Sequence, residues 1–212
     1  MKQQKTHPTN LQLHDFPIET FIGGYYIPEK ICDDLVNHFE SNPDKQHSGE
    51  VGKNTYGKVD EKKAVMVSAK KSIDMSFEPT VNSNDANVLN EYFLYLNKCI
   101  QEYEFKYPQV AELSNYGTVE GVNIQKYNPN EGFYEWHQER SGMNTCRRCF
   151  VHMTYLNDVE DGGTEFWFQK LTTPAKKGLT LIWPSDWTHL HKGQISKNKI
   201  KYILTGWLNY RD

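Results

Sequence analysis

The sequence predicts an α+β fold, mainly β, in which helices come first and a closed or double-sheet β architecture follows. Residues 119–210 contain short segments rich in β-branched and aromatic residues, VEGVNIQKYN, RRCFVHMTYLND, GTEFWFQ, GLTLIWP and IKYILTGWLNY. The turn sequences NPNEG, VEDGG and TPAKKG separate them. Many short strands joined by turns favour a sandwich or barrel over a parallel βαβ fold.

Two helical patterns precede the strands. After a short predicted strand in residues 21–27, Pro28 opens a helix whose apolar residues share one stripe. The second pattern, in residues 84–108, has an Asn or Asp cap at its start and Pro108 as its stop. The stripe of the first helix consists of Ile31, Leu35, Val36 and Phe39. We therefore expect these helices to pack on the β part of the protein.

The remaining segments suggest how the chain is organised. Residues 1–16 are polar and are predicted to form an N-terminal arm, followed by a single domain over 17–212. Within it we expect helical support in about 17–118 and the β core in about 119–212. Residues 43–75 are rich in Lys, Asp, Gly and Ser and show little periodicity, which predicts a long mobile surface loop that is a candidate lid.

Composition excludes several classes of function. The chain has 212 residues, a net charge of −3 and a pI near 6.2, so no nucleic acid or anionic membrane partner is expected. It lacks the apolar core of a signal peptide and any long apolar span, which predicts a soluble protein inside the cell, in the cytoplasm. The four cysteines are too scattered for a disulfide framework, so reduced thiols are expected.

The CRRC sequence could indicate a zinc or redox site, but its position argues against one. Cys146 and Cys149 run directly into a predicted strand, where residues three apart face opposite sides, and no second CxxC completes a four-ligand site. His152 stands at an odd offset from Tyr155 on the same strand. It is therefore predicted to face away from Tyr155, as a satisfied core or sheet-surface histidine.

The stretch FYEWHQERSG contains the first candidate metal ligands. His137 and Glu139 stand at i and i+2 of a predicted strand, so both point to one face, roughly 6 to 7 Å apart at the backbone. About fifty residues later come His189 and His191, and two His with one carboxylate is the ligand set of non-haem Fe(II) oxygenases. Periodicity cannot choose between these two histidines. Lys201 alternates with its neighbour on the last strand and is predicted to point inward, where it needs an anion.

These stretches together resemble a known family. QKYNPNEGFYEWHQE, RCFVHMTYLNDVEDGGTEFW and KKGLTLIWP occur in order, followed by His191, Gly193 and Lys201, which stands ten residues after that histidine. In this order and spacing they are similar to the motifs of the iron(II) and 2-oxoglutarate-dependent dioxygenases, in particular the prolyl 4-hydroxylase-like group. The resemblance covers about residues 121–210.

The resemblance implies a double-stranded β-helix core, also called a jelly roll and cupin-like, with the N-terminal helices packed on one sheet. It implies that the metal ligands are His137, Glu139 and His191, the last chosen over His189 by its spacing to Lys201. The residues implied to contact 2-oxoglutarate are Tyr127, Tyr155 and Lys201. Arg148 matches the arginine that opens a strand in this family, and a structural role is expected for it.

The resemblance also implies an activity. The expected cofactors are Fe(II) and 2-oxoglutarate, with ascorbate as an additional candidate, and the expected reaction with O2 hydroxylates a prolyl or other peptide side chain, although a small-molecule substrate stays open. Tyr134 is expected near the substrate. Glu139 departs from the family's usual Asp, which leaves altered chemistry or an inactive site open. The alternative is a non-catalytic metal-binding jelly-roll module; a zinc protease is disfavoured because the chain has no HExxH.

Overall fold

The structure, a computed structural model, describes residues 6–49, 51–55, 58–64, 69–78, 85–113 and 115–211. The helices are α1 (Glu29–Glu40), α2 (Asp85–Lys106) and α3 (Gln109–Leu113). The strands before α2 are β1 (Gln12–His14), β2 (Gly23–Tyr26), β3 (His47–Ser48), β4 (Val51–Thr55), β5 (Lys58–Ala64) and β6 (Ile73–Phe77). Those after α3 are β7 (Tyr116–Thr118), β8 (Val122–Tyr127), β9 (Arg148–Tyr155), β10 (Thr164–Phe166), β11 (Leu171–Thr172), β12 (Leu179–Pro184), β13 (His191–Gly193) and β14 (Lys201–Tyr210).

Two antiparallel sheets build the core. Within the described ranges the larger sheet has nine strands in the order β1-β2-β12-β9-β14-β8-β6-β3, with β7 beside β14. The smaller sheet has the order β11-β10-β13, and β4 and β5 pair only with each other. Helices and antiparallel sheets without a parallel βαβ unit confirm the predicted α+β, mainly β, fold.

Each face of the larger sheet has its own apolar cluster, because side chains alternate along its strands. One face packs against α1 and α2, where Leu35, Phe39 and Leu96 are buried together with Ile124 and Leu204 of the sheet. The opposite face carries a second cluster, which includes Tyr127, Val151, Tyr155, Trp183 and Ile203. This second face and the smaller sheet enclose the interior in which the candidate site lies.

Both predicted helices are confirmed, with the expected ends. Pro28 is the cap of α1, and Ile31, Leu35 and Phe39 on its stripe are buried. The second helix, α2, ends at Lys106, before Pro108, because proline lacks the amide hydrogen that would continue the helical bonding. None of the described helices combines the length and the apolar content needed to cross a membrane.

The prediction that residues 43–75 form a surface loop is wrong for most of the residues that the structure describes there. Four strands, β3 to β6, occupy it, and β6 is an interior strand paired with β3 and β8. Met75 and Phe77 face the helical cluster, while Asp74 is buried on the other face. The preceding residues are rich in lysine and glycine, so the short alternation of inward and outward side chains in β6 was not recognised in the sequence. Residues 50, 56–57 and 65–68 of the predicted loop lie outside the described residues, so the lid hypothesis stays a prediction.

The polar arm predicted for residues 1–16 lies on the folded protein in its described part. β1 pairs with β2 at one edge of the larger sheet. Before it, Thr9 donates its backbone amide and its hydroxyl to the buried carboxylate of Glu102, 2.9 and 2.6 Å away. His7 Nδ1 lies 2.7 Å from the same carboxylate. Hydrogen bonds to α2 therefore fix this segment.

A β-bulge interrupts the pairing of β9 with β14. Leu208 pairs with Phe150 and the next residue, Asn209, pairs with Arg148, so the register skips Cys149. A bulge reverses the side to which the following side chains point. It therefore turns Arg148 towards the interior face. Cys149 is buried, Cys146 is exposed, and all four cysteines are free, as the sequence predicts.

Candidate active site

The candidate site lies where the β8–β9 connection meets β13. The strand predicted for residues 133–142 does not form: the segment is irregular and touches strand neighbours only at isolated bridges, Phe133 with Lys70 and His137 with His191. The bridge places His137 beside the first residue of β13. The two candidate histidines therefore come together through one backbone pairing rather than through a continuous strand.

Three side chains converge at this bridge. Glu139 Oε1 lies 3.3 Å from Nε2 of His137 and 3.5 Å from Nε2 of His191. The two imidazole centroids are 4.3 Å apart. The potential ligand atoms of these residues all lie within 4.8 Å of one another, as expected of groups that share a metal ion. Glu139 and His137 are half-buried and His191 is buried.

The hydrogen bonds of the two Nδ1 atoms determine how the Nε2 atoms of His137 and His191 can act. His137 Nδ1 is 3.0 Å from the carbonyl of Glu135, and His191 Nδ1 is 2.9 Å from the carbonyl of His189. A carbonyl oxygen only accepts, so both Nδ1 atoms donate. In the neutral tautomer each Nε2 then presents a lone pair to Glu139 Oε1. Three acceptors facing one another require a cation or protons between them.

Electrostatics favour ionised Glu139 in this setting. Burial raises the pKa of its carboxyl, but hydrogen bonds and charge interactions with the two imidazoles in their protonated form outweigh burial and hold that pKa well below its ordinary value. Burial and the neighbouring His137 ring lower the pKa of His191, against the opposing effect of Glu139. A carboxylate beside a neutral imidazole is the donor set that divalent transition metals bind. The residues present therefore fit Fe(II).

Aromatic rings fix the orientation of the two imidazoles. Phe133 stacks on His137 with ring centroids 3.7 Å apart and an interplanar angle of 14°. Trp183 and Phe166 approach the ring of His191, with centroid distances of 5.1 and 5.8 Å. These apolar walls also limit the access of water to the three ligand atoms.

The second carboxylate oxygen of Glu139 has partners of its own. Trp207 donates its indole Nε1–H to Oε2 over 3.0 Å, and a guanidinium nitrogen of Arg148 lies 3.6 Å from the same oxygen. Sequence reasoning placed neither residue at the metal site: a structural role was expected for Arg148, and Trp207 was not singled out. Trp207 is six residues after Lys201, so alternation along β14 already places both on one face. No comparable signal exists for Arg148, because the bulge sets its direction.

Lys201 lies inside the barrel, 4% exposed. Its ammonium donates to the carbonyls of Gln194, 2.9 Å away, and Gly162, 3.2 Å away, and lies 5.2 Å above the ring of Tyr127. Burial lowers its pKa to about 8, and the charge of Asp161 opposes this only in part. Among the described residues no carboxylate forms an ion pair with it, so this buried cation has room for an anion.

The tyrosines expected to contact 2-oxoglutarate are already hydrogen-bonded. Tyr155 OH lies 2.6 Å from the hydroxyl of Thr164 and 2.8 Å from that of Thr173, and all three side chains are buried. Tyr127 donates to the side-chain carbonyl of Gln125 over 2.6 Å. Both tyrosines are buried, and Tyr127 presents its ring rather than its hydroxyl to Lys201.

The remaining candidate, Tyr134, and the other histidines lie apart from the three ligand atoms. Tyr134 donates to the carbonyl of Asn130 over 3.0 Å at the exposed side of the loop. His189 is buried, with Nε2 2.9 Å from the carbonyl of Thr20, which corrects the expectation that it shares a strand face with His191. His152 faces α2, away from Tyr155 as predicted, with Nδ1 3.0 Å from the hydroxyl of Tyr92. It is only partly satisfied, because its buried Nε2 has no hydrogen-bond partner among the described residues.

Comparison with solved structures shows the fold. The chain is similar to a viral collagen prolyl hydroxylase from Paramecium Bursaria Chlorella virus-1 in its 2OG complex, with 18% identity, a TM-score of 0.59 and coverage of 95% of this chain and 96% of that chain. It is similar to a Pseudomonas putida prolyl-4-hydroxylase, with 12% identity, a TM-score of 0.62 and coverage of 92% and 99%. A prolyl hydroxylase from Trichoplax adhaerens in complex with a hypoxia inducible factor oxygen degradation domain peptide fragment gives 12% identity, a TM-score of 0.65 and coverage of 91% and 84%.

The sequence itself matches a family profile over the β core. Residues 122–209, from β8 to the end of β14, match the 2OG-Fe(II) oxygenase superfamily. No curated protein sequence matches the chain. The jelly-roll core predicted from the sequence is confirmed by the solved structures with the same fold. Residues 122–209 therefore carry the sequence pattern of the 2OG-Fe(II) oxygenase superfamily, and the chain has the fold of the prolyl hydroxylases to which it is similar.

Proposed function

We propose that this chain is an Fe(II)- and 2-oxoglutarate-dependent dioxygenase that hydroxylates a prolyl or other side chain of a peptide. One observation carries the proposal: two imidazole nitrogens and a carboxylate oxygen converge in the same barrel that buries a lysine with no carboxylate ion-pair partner in the part of the chain that the structure describes. A protein that only binds a metal ion would need the converging ligand atoms but not the buried lysine. An enzyme that binds a dicarboxylic cosubstrate needs both.

His137, Glu139 and His191 would hold Fe(II). Two neutral imidazoles and one carboxylate leave several coordination positions for exogenous ligands, which is the requirement for O2-dependent non-haem chemistry. Bound Fe(II) and 2-oxoglutarate would supply that chemistry, in which 2-oxoglutarate and O2 give succinate and CO2 and one oxygen atom enters a C–H bond of the substrate. The protein's own residues hold, orient and shield the reactants.

Lys201 would bind the carboxylate of 2-oxoglutarate that does not reach the metal. Gly193 lies two residues from His191 along β13, which corresponds to roughly 7 Å of strand. A Cβ at Gly193 would lie 3.1 Å from Lys201 Nζ, so the glycine keeps the space beside the ammonium open. An extended five-carbon dicarboxylate suits the separation between the ammonium and the imidazole, and the charge-assisted bond to Lys201 would be the strongest contact at the distal end.

Neutral groups would complete the cosubstrate site. Tyr155, on the strand next to that of Lys201, forms a buried hydroxyl cluster with Thr164 and Thr173, and hydroxyls can reorient to donate to a carboxylate. The ring of Tyr127 lies against the ammonium and shields it from water. We propose these tyrosines as cosubstrate contacts and Tyr134, at the exposed side of the loop, as a substrate contact.

The peptide substrate rests on fold likeness. One similar structure is described as a collagen prolyl hydroxylase and another as a prolyl hydroxylase with a bound peptide fragment. Both facts belong to those proteins, and a shared fold hosts many substrates. A prolyl side chain is therefore the first substrate class to test in this chain.

The test is turnover of 2-oxoglutarate. Purified protein with Fe(II), O2, 2-oxoglutarate and ascorbate should form succinate, at a low rate alone and faster when a suitable proline-containing peptide is present and gains one oxygen atom. His191→Ala serves as the control for turnover at free iron. Iron that binds at the site without succinate formation or 2-oxoglutarate binding would instead identify a metal-binding module.

A further inference from the structure

We propose that Arg148 and Trp207 are positioning residues that hold one oxygen of Glu139, so that only the other oxygen faces the metal. The proposal rests on the proposed function, because it takes His137, Glu139 and His191 as the metal site. It concerns the feature in which this chain departs from its family, a glutamate where aspartate is usual.

A glutamate ligand needs more restraint than an aspartate. Glu139 has one additional methylene and one additional rotatable bond, so an unrestrained carboxylate would sample more orientations and could offer either oxygen or both. A displacement on the order of 1 Å at a reactive centre reduces catalysis substantially. The family position therefore tolerates glutamate only where other groups determine its direction.

The two oxygens of Glu139 have separate sets of partners. Oε1 faces the Nε2 atoms of His137 and His191 at 3.3 and 3.5 Å. Oε2 accepts the indole hydrogen of Trp207 at 3.0 Å and lies 3.6 Å from a guanidinium nitrogen of Arg148. Because an indole and a guanidinium only donate, Oε2 is the oxygen they retain. Oε2 is thereby held in place by Trp207 and Arg148, while Oε1 stays available to a metal ion.

Arg148 also holds the backbone of the same residue. Its Nη1 donates to the carbonyl of Glu139 over 3.3 Å, and its Nε donates to the carboxylate of Glu120 over 2.9 Å. The guanidinium lies 3.5 Å from the ring centre of Trp207, within cation–π distance. Arg148 thus links Glu120, the indole and both ends of Glu139, and the indole cannot rotate away without losing the stacked cation.

The β-bulge at Cys149 makes this arrangement possible. Regular alternation along β9 would direct Arg148 to the same face as Phe150, which packs in the helical cluster. The register shift pairs Arg148 with Asn209 and turns the guanidinium to the face of Trp207. Bulges beside active sites commonly redirect one side chain in this way.

Metal affinity in the absence of turnover is the first readout. We expect Trp207→Phe to weaken Co(II) or Fe(II) binding by about 10- to 100-fold, the usual effect of removing a hydrogen bond to a metal ligand. The visible spectrum of bound Co(II) should change as well, because the carboxylate can then rotate. Trp187→Phe is the control: it truncates a tryptophan that is 60% exposed and whose ring contacts Phe168 rather than a candidate metal ligand, and it should change the affinity much less.

A double-mutant cycle separates positioning from packing. In Glu139→Asp the carboxylate is one methylene shorter and withdraws from the indole, so adding Trp207→Phe should weaken metal binding far less than it does in the wild type. Arg148→Lys should behave as Trp207→Phe does, since an ammonium cannot stack on the indole and bridge both partners. Equal losses in the two backgrounds, or an equal loss in Trp187→Phe, would overturn the proposal.

The hydrogen bond can also be detected without any metal. Among the signals of the five tryptophans, the indole proton of Trp207 should shift in the NMR spectrum of metal-free Glu139→Ala, while the others stay near their wild-type positions. An unshifted Trp207 signal would overturn this proposal and leave the proposed function intact. A wild-type protein that binds neither Fe(II) nor Co(II) would overturn both, whatever the indole signal shows.

Discussion

His191 lies with its ring centroid 4.3 Å from that of His137, across a single backbone bridge. His189, two residues earlier, turns Nε2 to the carbonyl of Thr20 instead. We therefore expect His191→Ala to abolish iron binding and turnover, and His189→Ala to retain bound iron with some loss of stability. Metal analysis of the two purified variants decides between them. Loss of iron from the His189 variant alone would show that the wrong histidine has been assigned.

Removing the charge of Lys201 should affect the cosubstrate and leave the metal alone. Truncating one partner of a buried charge pair costs about 2 to 5 kcal/mol, so Lys201→Met should weaken 2-oxoglutarate binding by roughly 30-fold or more. Titration of 2-oxoglutarate into Fe(II)-loaded protein without oxygen measures this. The exposed Lys199→Met is the matched control and should bind as the wild type does. Equal affinities in all three proteins would contradict the assignment of Lys201.

The lowered pKa of Lys201 predicts how cosubstrate affinity depends on pH. Its ammonium loses a proton near pH 8 in the free protein, whereas the hydrogen bond from Ser196 lowers the pKa of the nearby Asp161, which stays charged. A dicarboxylate favours the protonated ammonium, so binding above this pH must take up one proton. The dissociation constant should rise by up to about tenfold per pH unit above 8 and be nearly constant below 7.

Calorimetric titrations in two buffers with different ionisation enthalpies would measure that proton uptake directly. Lys201→Met should show weak binding without this dependence. Wild-type affinity that does not change between about pH 7 and about pH 9 would contradict the prediction.

His152 should make the protein sensitive to acid. Burial lowers the pKa of its imidazole from 6.5 to about 3, so it is neutral in the folded state. Below pH 6.5 the unfolded chain takes up a proton that the folded chain excludes, and stability should fall by up to about 1.4 kcal/mol per pH unit until about pH 3. Urea unfolding of wild type and His152→Gln tests this: the variant should lose less stability between pH 7 and pH 5, and parallel losses would exclude His152 as a cause.

The ion pair of Lys70 and Asp74 should matter for stability. Nζ and Oδ2 are 2.6 Å apart, and the side chains are 4% and 6% exposed. Lys70→Met leaves a buried carboxylate, still bonded to Ser72, without its cation and should cost about 3 to 5 kcal/mol in unfolding free energy. Lys70→Met with Asp74→Leu should recover much of that loss. A change below about 1 kcal/mol in the single variant would indicate that water already reaches the pair.

Short-range patterns were enough to predict part of this structure. α1 follows from an apolar stripe behind Pro28, and α2 stops before Pro108, because helices depend on contacts close in sequence. The alternation of Lys201 with Tyr202 correctly predicted an inward lysine. The ordered spacing of four motifs predicted the resemblance to the 2OG-Fe(II) oxygenases, and residues 122–209 match the profile of that superfamily.

Other features depend on contacts that the sequence does not display. β6 follows a lysine-rich stretch and becomes a strand by pairing with β8, about fifty residues later. The role of Arg148 depends on the skipped residue Cys149, and register is a property of two strands together. The segment around His137 was predicted as a strand but is irregular, and one of its aromatic residues, Phe133, stacks on His137 instead of facing a sheet neighbour's side chain.

The position of β14 in the larger sheet has a consequence for biosynthesis. This strand lies between β9 and β8, yet it is the last of the described strands to leave the ribosome. Until it does, the sheet exists only as two separate parts, β1-β2-β12-β9 and β8-β6-β3, each with an unpaired edge open to other chains. Assembly of the sheet must therefore wait for β14 and depends on contacts distant in sequence, which makes it slow. A chain ending before Lys201 should aggregate rather than form a smaller native core.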